Sequence, residues 1–145
     1  MARMVDVSSK PVVRREAVAE GFIRLNSRTI EVVRRKGLEK GDAEEIAKIG
    51  AITAAKRTSD ILMLCHPIPI ESVEVDIQVL DDGVKVTCHV VALAKTGVEM
   101  EALTAVAMGL LNIWDVTKKY EKDAQGQYPS TAIEDLHVVR KVKKA

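Results

Sequence analysis

The 145-residue chain is 47% apolar and 30% charged, with 22 Lys+Arg against 21 Asp+Glu and a formal charge of +1. That balance describes a folded globular chain, argues against disorder and gives no ground for nucleic-acid binding. The length predicts one domain over 1–145 with a single sizeable core and flexible ends at 1–10 and 143–145.

Residues 12–25 (VVRREAVAEGFIRL) alternate enough to predict a first strand. Asn26 or Ser27 caps a predicted helix over 28–36, with Gly37 as its stop. Gly41 and Asp42 open a second helix over 43–56, with Ile46, Ile49, Gly50 and Thr53 along one side. Pro67 and Pro69 break any helix through 62–70 (LMLCHPIPI), so a rigid, extended, apolar loop is expected there. Val73, Val75, Ile77 and Val79 alternate with polar residues. After Asp82-Gly83 the alternation resumes at Val84, Val86, Cys88 and Val90, which predicts a β-hairpin. A helix about 37 Å long covers 98–122. Gly126 and Pro129 break the chain at 125–130, and 131–142 closes as a strand. With one helix set aside, this order is an α+β, ferredoxin-like βαββαβ plan. Such a plan has a four-stranded antiparallel sheet with helices on one face.

The segment KTGVEMEALTAVAMGLLNIWDVTKKYEKD, 95–123, is unusual for a core helix. Leu103, Val106, Leu110 and Trp114 form a stripe for the sheet. Ala102, Ala105, Gly109 and Ile113 form a second stripe, narrow enough for a helix of the same chain or of a second subunit. Glu101, Met108, Asp115, Lys119 and Lys122 lie on a third. Asp115 can touch Lys118 or Lys119, and spacing alone favours an ordinary surface ion pair.

Arg14, Arg15, Arg34, Arg35, Lys36, Lys40, Lys56 and Arg57 crowd the first half. They are either solvated helix faces or, if folding gathers them, a seat for an anionic small molecule. Cys65 and Cys88 are too few for a disulfide framework. Cys65-His66 and Cys88-His89 supply ligand types for zinc, but adjacent ligands diverge on a strand and no chelating spacing is present. His66, beside Pro67, is either a placed hydrogen-bond donor or proton carrier, or a half-buried histidine satisfied by backbone. With 3% aromatics, stacking platforms for single-stranded nucleic acid are missing. No apolar leader or long apolar run is present, so a cytoplasmic protein without a membrane span is expected.

Met4–Ser8 (MVDVS), Lys40-Gly41-Asp42, AAKRT at 54–58, LCHP at 64–67, KTGVEMEALT at 95–104 and Asp115-x-x-Lys118 occur in this order. Together they resemble the MoaC family over 4–141. The resemblance implies a ferredoxin-like subunit in a homo-hexamer, a trimer of dimers, with the active site at a dimer interface. It implies conversion of 3',8-cyclo-7,8-dihydroguanosine 5'-triphosphate to cyclic pyranopterin monophosphate, with release of pyrophosphate, in molybdenum-cofactor biosynthesis. That is a lyase reaction run by general acid/base catalysis, and no cofactor or metal is expected.

By the same resemblance Asp115, Lys118, Lys40 and His66 are the catalytic set. Leu64, Cys65 and His66 form one substrate-contacting segment, and Glu99, Met100 and Glu101 another. Arg15 and Lys56 are basic residues of the site. Lys141 stands in for a C-terminal lysine, although the glycine-rich tail of many members is replaced by Arg140-Lys141-Val142-Lys143-Lys144. A triphosphate needs such cations, and a lysine beside an aspartate suits proton transfer. The competing reading is a non-catalytic ferredoxin-like module that binds a nucleotide or RNA end. Glu99, Glu101 and Asp115 argue against it, since they would repel an anionic ligand that is merely bound.

Overall fold

A computed structural model describes residues 1–144. The elements follow as β1 (Val13–Arg24), α1 (Ser27–Arg34), α2 (Ala43–Lys56), α3 (Thr58–Ile61), β2 (Ile70–Leu80), β3 (Gly83–Ala94), α4 (Glu99–Glu121) and β4 (Ala132–Lys144). The strands form one antiparallel sheet in the order β2-β3-β1-β4, so the fold is α+β and ferredoxin-like, as expected. In β1 and β3 alternate residues are buried. Ala17, Ala19 and Ile23 of β1 and Val84, Val86, Cys88 and Val90 of β3 pack under the helices. Their neighbours Glu16, Glu20, Lys85 and His89 lie on the other face, where Glu16 meets His89 at 2.9 Å and Glu20 forms an ion pair with Lys85.

Helix α1 starts where Asn26 accepts a hydrogen bond from the Thr29 amide at 2.9 Å. Its end differs from expectation. Lys36, not Gly37, takes the left-handed position (φ 57°). The Lys36 amide bonds the Val33 carbonyl at 3.1 Å and the Gly37 amide bonds Val32 at 2.9 Å. This is the paired-bond stop that glycine usually makes, set one residue earlier.

The buried face of α2 also differs. It consists of Ala43, Ala47, Ala51, Ala54 and Ala55, while Ile49 and Ile52 are exposed. The cause is α4, whose small-residue stripe comes close enough for Gly109 to lie against the Ala47 carbonyl and Ala51. Two backbones that near leave room only for alanine and glycine. That stripe therefore serves a helix of its own chain. Val106 and Leu110 face the sheet as predicted, while Leu103 and Trp114 pack against the core but stay partly exposed.

One turn of helix, α3, precedes the proline loop. Thr58 donates to the carbonyls of Ala54 and Ala55 at 2.9 and 3.1 Å and turns the chain out of α2. The hairpin turn is Asp81-Asp82, and Gly83 opens β3. A side chain on Gly83 would run into the Ile23 carbonyl and the Phe22 ring. The tail expected to be flexible falls partly in the sheet, since Lys143 and Lys144 pair with Arg15 and Arg14. Residue 145 lies outside the described residues.

Candidate active site

Helix α4 carries ionisable groups at both ends, and each end forms its own cluster. At the C-terminal half, Asp115 Oδ1 accepts from Lys118 Nζ at 3.0 Å and Oδ2 accepts from Lys40 Nζ at 3.1 Å. Lys40 reaches in from the α1–α2 loop, which Asp42 closes by capping α2 through the Glu44 amide. Leu111 and Trp114 complete a shallow cavity of about 360 Å³ beside Asp115 and Lys118. The lysine hydrogen bonds, Lys118 first, hold the Asp115 carboxyl below its ordinary range. The Asp115 hydrogen bond in turn raises Lys118. Lys118 is therefore held as a charged ammonium at neutral pH. The carboxylate beside Lys118 thus works against any tuning of that lysine down toward neutrality.

At the N-terminal end, Glu101 is 2% exposed. Burial raises its carboxyl, and Cys65 Sγ lies 3.8 Å from its Oε2. Burial comes first and the Glu101 charge second in pushing the Cys65 thiol up. Glu99 pairs with Lys141 of β4 at 3.6 Å. Arg15, buried in β1, donates from Nη2 to the Lys95 carbonyl at 3.1 Å. Among the described residues, the buried side-chain nitrogen or oxygen atoms left without a partner are Arg15 Nε, Glu99 Oε2 and Glu101 Oε1. Buried polar atoms are nearly always satisfied, so each of these orphans is an atom whose missing bond a ligand can supply.

The other expected residues flank this end. His66 Nε2 lies 2.6 Å from the Val5 carbonyl, which draws the N-terminal segment over the proline loop. Leu64 and Met100 are exposed. Lys56 lines a separate cavity of about 370 Å³ with Ile52, Ile68, Ile70, Glu71, Ser72 and Val73. That cavity adjoins the His66 cavity through Ile68, which lines both. Cys65, His66, Cys88 and His89 do not converge. Cys88 is fully buried under the helices, whereas His89 faces the other side and meets Glu16 at 2.9 Å. Among the described residues, no group of three or more His, Cys, Asp or Glu side chains is placed to hold a metal ion.

The two clusters lie on the same side of α4 but about 20 Å apart along its axis, by the rise from Glu101 to Asp115. One reacting centre cannot touch both. Sequence reasoning overlooked Tyr128, which lies near Lys118 and meets Trp114 edge-on. No spacing links Tyr128 to either, because a loop intervenes.

A family model described as the MoaC family matches residues 4–144. A probable cyclic pyranopterin monophosphate synthase of Sulfolobus acidocaldarius is 53% identical over 140 residues, covering 97% of this chain and 98% of the relative. A protein of the same description from Archaeoglobus fulgidus is 52% identical over 141 residues, covering 97% and 90%. A probable cyclic pyranopterin monophosphate synthase accessory protein of Methanothermobacter thermautotrophicus is 52% identical over 141 residues, covering 97% and 89%. With full-length likeness at this level and its motifs placed at the two ends of one helix, the chain belongs to the MoaC family.

Proposed function

We propose that this protein converts 3',8-cyclo-7,8-dihydroguanosine 5'-triphosphate to cyclic pyranopterin monophosphate and pyrophosphate, as a lyase of molybdenum-cofactor biosynthesis. The observation that carries the chemistry is the set of orphaned buried atoms at Arg15, Glu99 and Glu101, the positions where family likeness expects substrate. Arg15, Lys40, Lys56 and Lys141 supply cationic partners for the triphosphate. Lys118 donates a proton during ring opening and rebuilding, and Asp115 holds it in place and takes up the charge balance. Cations stabilise pyrophosphate as it leaves. The non-catalytic module is not favoured, because relatives are named as synthases and because three carboxylates would only weaken the binding of an anion.

The separation of the clusters supports a site shared between two copies, with the Asp115 end of one chain facing the Glu101 end of another. Exposed Ile49, Ile61, Met63, Leu64 and Leu111 provide apolar surface for such packing. The reading extends to a homo-hexamer built as a trimer of dimers, working in the cytoplasm. Among the described residues, no helix is long and apolar enough to cross a membrane.

The test incubates purified, metal-stripped protein with the cyclised triphosphate and follows pyrophosphate and pterin. Equimolar release of both is expected. Binding without turnover would overturn the synthase reading in favour of the module.

A further inference from the structure

Trp114 is only partly packed on the core, and the rest of its indole lines the cavity beside Asp115 and Lys118. It meets Tyr128 edge-on, with ring centroids 5.2 Å apart and planes at 66°. Tyr128 is held by a structured loop. Asp123 Oδ1 accepts from the Gln125 and Gln127 amides at 2.9 Å each, and Gly126 takes a φ of 76°. Beyond the loop, Thr131 donates to the buried Glu121 carboxylate at 2.6 Å. The loop is thus pinned at both ends, and the phenol braces the indole. The result is an aromatic wall in a cavity that exposed Leu111, Asp115 and Lys118 also line. Aromatic faces hold planar heterocycles by stacking, whereas phosphates take no part in it.

We propose that Trp114, braced by Tyr128, is the stacking wall for the planar guanine-derived ring of the substrate and sets that ring's polar edge against Asp115 and Lys118. This rests on the function proposed above. It sets the ring at the C-terminal half of α4, where Lys40 on Asp115 meets the near end of the phosphate chain, and leaves the rest of that chain to Arg15, Lys56 and Lys141.

Trp114 is the chain's only tryptophan, so its emission reports on this wall alone. The Lys118→Ala protein is titrated with 3',8-cyclo-7,8-dihydroguanosine 5'-triphosphate and, separately, with inorganic tripolyphosphate, with binding followed in parallel by equilibrium dialysis. Saturable quenching by the nucleotide and none by tripolyphosphate is expected. In steady state, Trp114→Ala raises KM about tenfold or more while kcat falls far less, and Trp114→Phe recovers most of the loss. The titration does not depend on Trp114→Ala folding. Nucleotide bound by dialysis with unchanged emission would overturn the wall, and so would a folded Trp114→Ala enzyme with unaltered KM. Either result leaves the turnover of the unmodified protein, and hence the synthase reading, intact. Quenching without turnover by the unmodified protein keeps the wall and overturns the synthase.

Discussion

Asp115 holds Lys40 and Lys118 at once, one lysine on each carboxylate oxygen, at 3.1 and 3.0 Å. The lysines come from positions 75 and 3 residues away, so a loop and a helix turn meet on one anion. Lys118→Ala should cut turnover at least a hundredfold, the scale of a lost proton donor, and leave the oligomer and melting temperature unchanged. Gel filtration, a melting curve and a turnover assay decide it. Near-normal turnover would remove Lys118 from the mechanism.

The same contact has a pH signature. Asp115 is lowered, so its share of the attraction is full above its unfolded pKa, about 3.9, and is lost as pH falls through the folded value. Lys118 is raised, so its share is full below about 10.4 and is lost as pH rises through the folded value. Asp115→Asn should return Lys118 toward ordinary lysine, read by NMR titration of its side chain. An unmoved Lys118 titration would mean that Asp115 does not raise it.

Contact between Lys40 and Asp115 within one chain dictates which inactive variants can complement. Asp115→Ala mixed with Glu101→Ala should restore about a quarter of full activity, since random pairing leaves that share of composite sites intact. Lys40→Ala mixed with Asp115→Ala should restore none, because both losses fall on one cluster. Equal recovery in the two mixtures would contradict the division of the site between copies.

Glu121 is 3% exposed and ties three parts of the chain together. It accepts from the Asn26 amide at 3.0 Å, from Thr131 at 2.6 Å and from the Thr29 hydroxyl. Glu121→Ala should cost about 2–4 kcal/mol, since several buried donors lose one acceptor. Urea unfolding measures it. A loss below about 1 kcal/mol would mean that water replaces the carboxylate.

The two thiols should behave differently. Burial pushes Cys88 up to about 12, so it stays unreactive until the protein unfolds. Cys65 is also raised, by burial and then by Glu101. Glu101→Gln should therefore speed alkylation of Cys65 at pH 8 and leave Cys88 untouched, followed by mass spectrometry of each peptide. No change at Cys65 would show that the carboxylate does not govern it.

Local periodicity and short motifs made much of this molecule legible. Alternation at 73–79 and 84–90 marked the hairpin, and the run through 98–122 marked α4, because side-chain period follows backbone geometry. The motifs around Lys40, Cys65-His66, Glu99–Glu101 and Asp115-x-x-Lys118 named the family. Tertiary packing decided the rest. The alanine face of α2 depends on how near α4 lies, and no residue of α2 encodes that distance alone. The burial of Glu121 depends on Asn26, Thr29 and Thr131, which only the folded chain brings to it. Pairing Lys40 with Asp115, placing Tyr128 against Trp114 and setting the two charged clusters about 20 Å apart are all consequences of packing between segments distant in the chain. Sequence determined which elements form and which chemistry they carry, because both follow from neighbours along the chain. Structure decided which charges meet, because that is set by where the elements dock.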